Sequence, residues 1–270
     1  VGIEFRNVGK TYRDGTVAVA DFSHVVASHR IAALVGSSGS GKTTLLRMVN
    51  RMIDPSNGTV LIDDEDIQGL DKVRLRRRIG YVPQAGGLLP HRTVVDNVAT
   101  VPVLNGTSRA TARGNALDLL TLVGLDASLA SRYPAQLSGG QQQRVAVARA
   151  LAADPNILLM DEPFGAVDPI VRRELQDQLL RVQAELGKTI VIVTHDVDEA
   201  FRLADDVVVL RTGGVVAQSG TPQSILASPA DAFVRDFVGA DRPERTLTTT
   251  EVDGQRLVVD ADGRPVGILR

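Results

Sequence analysis

A chain of 270 residues that is 43% hydrophobic and 23% charged can build one α/β domain with insertions or about two domain-sized units, which excludes a disordered or fibrous protein. A net charge of −2 excludes a global basic field for gripping nucleic acid, and zero cysteines exclude disulfides, thiolate metal sites and thiol nucleophiles, as suits a reducing compartment. No apolar stretch approaches the roughly 20 residues that cross a bilayer and no basic-then-apolar leader pattern opens the sequence, so work at a membrane is expected to pass through a partner.

Residues 1–30 alternate apolar and polar positions through Ile3, Phe5 and Val8 and again through Val17, Val19, Phe22 and Val25, with Asp14-Gly15 as a turn signal between them. The spacing predicts antiparallel strands at the edge of the fold. The apolar run Ile31 to Val35 predicts a buried strand, Leu45 to Met52 a helix, and Thr59 to Ile62 with Ile79 to Val82 two more short strands. Asp71 to Arg78 reads as an arginine-dense helical turn or two with a solvated face. From Gln84 to about Asp154 helical spacing takes over, predicting an inserted helical subdomain with helices over Thr93 to Val101, Arg109 to Val123 and Val145 to Ala153.

Ile157 to Met160 and Thr189 to Thr194 read as strands buried on both faces. Between them Asp168 to Leu186 carries Val171, Leu175, Leu179, Val182 and Leu186 on one helical stripe, closed by Gly187. Asp196 to Ala204 reads as a helix in which Asp196 and Glu199 have capping-box spacing. Val207 to Leu210 and Val215 to Gln218 read as a hairpin across Gly213-Gly214. After Phe237 the composition turns polar at Asp241 to Glu244, and Leu257 to Asp260 with Val266 to Leu269 predict a small β-unit around Asp262-Gly263. The strand–helix alternation predicts a parallel core with right-handed crossovers and a ligand beyond the carboxyl ends of its strands.

The chemistry centres on Gly36, Ser37, Ser38, Gly39, Ser40, Gly41, Lys42, Thr43 and Thr44, which fit Gly, four residues, then Gly-Lys-Ser/Thr between a strand and a helix. The glycines let successive N–H groups turn around a polyphosphate, and the helix adds its positive end. Lys42 can reach β- and γ-phosphates, and the Thr43 hydroxyl suits a Mg²⁺ ion that keeps several waters. Asp161 and Glu162 follow the Ile157 to Met160 strand: Asp161 suits the metal shell, Glu162 a general base that polarises the attacking water. At Ser138, Gly139, Gly140 and Gln141, after Leu137, the serine can cap a helix; a bare cap explains Ser138 but not the glycine pair.

Leu-Ser-Gly-Gly-Gln at 137–141 resembles the signature of the ATP-binding cassette (ABC) transporter family, and over residues 1–240 the chain resembles its nucleotide-binding subunit. The resemblance implies an α/β P-loop NTPase fold of the RecA-like kind: a parallel-sheet core, an N-terminal antiparallel β subdomain, a helical subdomain inserted at about 85–154, and a small C-terminal β fragment over 241–270. It implies ATP and Mg²⁺. A second copy would complete a head-to-tail sandwich in which the signature binds the γ-phosphate of the ATP held by the other subunit. Tyr12 resembles the aromatic that stacks on adenine, a core tyrosine being the alternative. Gln84 resembles the glutamine that touches Mg²⁺ and the water. Asp168 resembles the residue linking the two sites, and His195 the histidine that hydrogen-bonds the γ-phosphate. His24, His29 and His91 lack such context and read as surface residues; His29 stands where the family commonly has Gly.

The segment Ala85 to His91, with Val94, Asp96, Asn97, Val98, Val101 and Pro102, is similar to importers of quaternary-amine osmoprotectants such as glycine betaine, choline and carnitine. Phe237 to Arg242 is similar to the same branch, and Leu257 to Gly267 resembles part of its CBS module, an ordinary β-hairpin being the alternative. The resemblance implies a peripheral ATPase on the cytoplasmic face, bound to integral-membrane permease subunits and served by an extracytoplasmic solute-binding protein, with no nucleic acid partner. The alternatives are an importer of another small solute such as amino acids, or a soluble ABC ATPase.

Overall fold

The computed structural model describes residues 2–84, 86–165, 167–242, 245, 247–252, 255–260 and 262–268. Ala85, Ala166, Pro243, Glu244, Ala261 and Leu269, named above or inside ranges named above, lie outside the described residues. In chain order β1 (Ile3–Thr11), β2 (Val17–Val26), β3 (Ile31–Gly36), α1 (Lys42–Val49), β4 (Asn57–Ile62), β5 (Glu65–Asp66), α2 (Lys72–Arg77) and β6 (Ile79–Val82) come first. A helical stretch follows with α3 (Val94–Val98), α4 (Thr100–Leu104), α5 (Arg109–Leu122) and α6 (Gly139–Leu151). Then come β7 (Ile157–Asp161), α7 (Pro169–Leu186), β8 (Thr189–Thr194), α8 (Val197–Leu203), β9 (Asp206–Arg211), β10 (Val215–Gly220), α9 (Pro222–Ala227) and α10 (Ala232–Val238), and last β11 (Thr248–Val252), β12 (Gln255–Val259) and β13 (Pro265–Ile268).

The strands form an antiparallel sheet in the order β2-β1-β4-β5, a mixed sheet in the order β10-β9-β3-β8-β7-β6, and the meander β11-β12-β13. In the mixed sheet every pair is parallel except β9 with β10. This is the P-loop NTPase core with its antiparallel companion. β3 shows why the sheet sits where it does: it is buried at every position. Ile31, Ala33 and Val35 face a core shared with α6 to α10, whereas Ala32 and Leu34 face one shared with α1 and the antiparallel sheet. A third cluster, including Val94, Val98, Ala116, Leu120, Val145 and Ala148, holds α3, α5 and α6 together.

Local chemistry moves several element ends away from the predicted ones. α1 starts at Lys42 and stops at Val49, because Arg51 adopts φ 53° and the Asn50 side chain accepts from Met52 N–H. The helix predicted over Thr93 to Val101 is two helices: Pro102 has no N–H to give the Val98 carbonyl and its ring crowds it, so α3 ends and α4 begins with Pro102 in its first turn. α6 begins at Gly139 rather than Val145, since Ser138 and Gln141 close a capping box there. At α8 only half the expected box forms: Asp196 accepts from Glu199 N–H, but the Asp196 N–H donates to Thr194 Oγ1. β11, exposed throughout, shows no alternation in sequence and was not foreseen, nor were α9 and α10.

His24 corrects its surface reading: its side chain is 12% exposed, and Nε2 lies 2.9 Å from Asp206 Oδ2, linking β2 to β9. His29 and His91 are exposed. His29 has φ 60°, the left-handed conformation that explains why glycine would suit this turn, and its ring contacts the Gly187 carbonyl. Leu159, fully buried on β7, packs among Leu45, Leu46 and Val191 in the core beneath α1. Leu159→Ala is expected to lower the unfolding free energy by about 2–5 kcal/mol in urea titration; a loss below about 1 kcal/mol would contradict close packing of this face.

Candidate active site

Strand register builds the site. Val35 on β3 pairs with Thr194 on β8, Asp161 on β7 with Val193 on β8, and Val82 on β6 with Met160 on β7. The carboxyl ends of four neighbouring strands therefore finish level, and the residues just beyond them are the loop from Gly36, then His195, Glu162 and Gln84. Ligands of open α/β sheets lie in such a crevice. Ser38, Gly39, Gly41, Lys42, Thr43, Thr44, Gln84, Glu162 and His195 line one cleft of about 480 Å³.

The loop is held by its own lysine. Lys42 is buried, and its Nζ donates to the Gly36 carbonyl and the Ser37 carbonyl at 2.8 Å each, with buried Ser40 Oγ at 3.3 Å. Burial pushes the Lys42 ammonium below its usual range, while the neighbouring carboxylates of Glu162 and Asp161 pull the other way. Gly41 precedes α1 with φ 88°, and a Cβ there would stand 2.5 Å from the Ala18 carbonyl oxygen, so only glycine lets the loop lie this close to β2.

Asp161 is 2% exposed and receives three side chains: Thr43 Oγ1 donates to Oδ1 at 2.8 Å, Tyr81 Oη to Oδ2 at 3.3 Å, and Arg47 NH2 to Oδ2 at 3.4 Å. Glu162 stands at the cleft mouth. Gln84 Nε2 donates to its Oε2 at 2.8 Å, and His195 Nδ1 lies 3.3 Å from its Oε1. The Glu162 N–H still donates to the Val193 carbonyl at 2.9 Å, yet φ is 45°. A non-glycine residue in this conformation stores about 1–3 kcal/mol of strain, a cost that recurs at active sites. Ammonium, loop N–H groups and the N-terminus of α1 on one side, with two carboxylates and a hydroxyl on the other, suit a polyphosphate carrying a hard cation. Among the described residues no cluster of three His, Cys, Asp or Glu could hold a metal alone. An oxygen set of Thr43, Asp161 and Gln84 fits Mg²⁺, which keeps water and phosphate ligands.

Not every expected residue joins this cleft. Tyr12 is 39% exposed, which rules out the core reading, and its hydroxyl lies 3.4 Å from Thr44 Oγ1 at the edge of the loop. Ser138, Gly139, Gly140 and Gln141 line no part of it: Ser138 Oγ accepts from Gln141 N–H at 3.3 Å, and Gln141 Oε1 accepts from Ser138 N–H at 3.0 Å. Asp168 is likewise elsewhere, exposed at the N-terminus of α7 and accepting from the N–H groups of Ile170 and Val171. Gly140 also corrects the argument from the glycine pair. It is buried against α7, and a Cβ would lie 2.6 Å from Val171 Cγ1, so packing alone requires glycine there.

Sequence reasoning missed Arg47 and Tyr81, the two side chains that share Asp161 Oδ2 with no motif to mark them. Their mutual hydrogen bond raises the Arg47 pKa, while burial raises that of Tyr81. It also missed the burial of Glu199 behind His195. A second cleft of about 400 Å³ lies in the helical stretch, but its central carboxylate, Asp96, is already paired with Arg109, Arg113 and Thr93.

The sequence pattern described as ABC transporter matches residues 19–165. The carnitine transport ATP-binding protein OpuCA of Listeria monocytogenes is 49% identical over 240 residues, covering 89% of this chain and 60% of that protein. The choline transport ATP-binding protein OpuBA of Bacillus subtilis is 46% identical over 266 residues, covering 98% and 69%. The chain thus spans 60% of the first relative's length and 69% of the second's. A solved dimeric structure of an ATP-binding cassette, in a post-hydrolysis state bound to ADP and Pi, superposes with a TM-score of 0.74 at 34% identity over 82% of this chain and 98% of that one.

Because Gly140 meets Val171 so closely, Gly140→Ala is expected to lower stability by about 1–3 kcal/mol in chemical denaturation, and adding Val171→Ala to recover part of the loss. A double variant no more stable than Gly140→Ala would refute the packing reason.

Proposed function

The chain belongs to the ABC transporter family, and from that premise we propose that it is the ATP-hydrolysing subunit of an importer for quaternary-amine osmoprotectants of the glycine betaine, choline and carnitine type. The observation that carries the reading is Glu162, a strained carboxylate contacted by both Gln84 and His195 beside a lysine-braced glycine loop. The substrate class is supported by the carnitine and choline transport relatives.

Amides of residues 38–42 and the Lys42 ammonium hold the β- and γ-phosphates. Thr43, Asp161 and Gln84 would hold Mg²⁺, which when bound neutralises charge between those phosphates. Glu162 takes a proton from the water that attacks the γ-phosphorus as the bond to the ADP oxygen breaks. Gln84 and His195 fix the direction of that carboxylate, and His195 donates to the γ-phosphate. Tyr12 stacks on the adenine.

Ser138, Gly139, Gly140 and Gln141 serve the triphosphate held by a second copy, which accounts for a helix N-terminus placed away from this chain's own cleft. Asp168 sits at the seam between the copies. Permease subunits carry the solute across the membrane, the ATPase docks on them from the cytoplasmic side, and a solute-binding protein delivers the osmolyte; the transport ATP-binding relatives support this reading. No helix among the described residues is long and apolar enough to cross a membrane.

Glu162→Gln is expected to bind ATP with wild-type affinity, to lose about 10²–10⁴-fold in turnover, and to elute as an ATP-bound dimer in size-exclusion chromatography. Unchanged turnover would remove Glu162 from the chemistry. For the substrate, ATPase of the complex reconstituted with permease and binding protein should rise on adding glycine betaine, choline or carnitine. Stimulation by amino acids alone would refute the osmolyte assignment.

A further inference from the structure

The mechanism above leaves unused a buried acid and a half-buried arginine behind the His195 turn. Glu199, in the first turn of α8, is 5% exposed. Its N–H donates to Asp196 Oδ1 at 3.1 Å and its carboxyl hydrogen-bonds Thr194, yet Oε1 is buried without a partner. Thr194 Oγ1 in turn accepts the Asp196 N–H at 3.0 Å. The Glu199 carboxyl therefore acts on the His195 turn through Thr194, whose hydroxyl also accepts the Asp196 N–H, while the Asp196 side chain is held separately by the Glu199 backbone N–H.

Arg172 reaches the same turn from α7, four residues beyond Asp168. One of its terminal nitrogens donates to Asp196 Oδ2 at 3.3 Å and the other to the Val167 carbonyl at 3.4 Å, while its Nε is buried without a partner. Two such atoms left unsatisfied work against stability, so the cluster is not there to stabilise the fold. A glutamate that only answered the helix dipole could do so from the surface.

We propose that Glu199 is a positioning residue for His195, and that Arg172 joins the turn bearing His195 to the loop bearing Asp168 so that the two move as one unit. The inference rests on the proposed role of His195 at the γ-phosphate. Burial is the main reason the Glu199 carboxyl is pushed up to about 7; the Thr194 hydrogen bond opposes this, Asp196 adds to it, and Arg172 and His195 oppose it. Near neutrality a large share of the carboxyl is thus uncharged, and a glutamine amide reproduces its shape and hydrogen bonding.

The test is steady-state ATPase kinetics on the full chain. Glu199→Ala is expected to lower kcat about tenfold with KM for ATP within twofold of wild type, and Glu199→Gln to restore at least half of the wild-type kcat. Arg172→Gln is expected to lower kcat at least threefold, with no further loss when combined with Glu199→Ala. A kcat for Glu199→Ala within twofold of wild type, a loss confined to KM, failure of the glutamine to rescue, or multiplicative losses in the pair would each overturn the inference. Should Glu199→Ala not fold, Glu199→Gln and Arg172→Gln decide alone: the inference stands if the first keeps at least half of kcat and the second loses at least threefold, and falls otherwise. His195→Ala separates the two levels. It is expected to lose at least about a hundredfold in kcat, and wild-type turnover from it would sink the underlying reading of His195 instead.

Discussion

The hydrogen bond from Thr43 to Asp161 is the joint on which the site depends, because it ties the first turn of α1 to the end of β7. A carboxylate that is 2% exposed is costly to bury alone, and here Thr43 and Arg47 from α1 and Tyr81 from β6 offset that cost. With α1 fixed against β7, the glycine loop at one end of the joint and Glu162 at the other cannot drift independently. The spacing between phosphate cradle and carboxylate is thereby a property of the core rather than of the loops.

Lys42 and Glu162 show how the same sheet edge supports opposite charges. The lysine is desolvated and turned back onto its own loop, and the glutamate is at the mouth, sharing its oxygens with Gln84 and His195. Each arrangement needs a backbone conformation that ordinary residues avoid: φ 88° at Gly41, where glycine removes the penalty, and φ 45° at Glu162, where side-chain chemistry forbids glycine and the strain persists.

Much of this was legible in the amino-acid order. Ile31 to Val35, Ile157 to Met160 and Ile190 to Val193 are uniformly apolar because both faces of their sheet are covered, and the residues just past such a run must emerge at its carboxyl edge; that is how Gly36, Glu162 and His195 could be placed together. The split at Pro102 was equally available from the chemistry of its missing N–H. Other features depend on residues far away in sequence. Nothing near Gly140 announces that Val171 will press against it, and nothing near Arg47 announces Asp161. Glu199 misled for a related reason, since capping-box spacing describes a helix end meeting water, and here that end is packed beneath a strand.

Helix α6 faces two partners at once: Ala146 and Ala150 press on the mixed sheet, and Val145 and Ala148 on the other helices. Methyl-sized side chains make shallow ridges, and a shallow ridge can ride along its groove for a fraction of an ångström without climbing out of it. Ala146 and Ala150 give the lobe bearing Ser138 a seat of this kind on the sheet, whereas bulkier branched side chains in their place would lock the two like gear teeth.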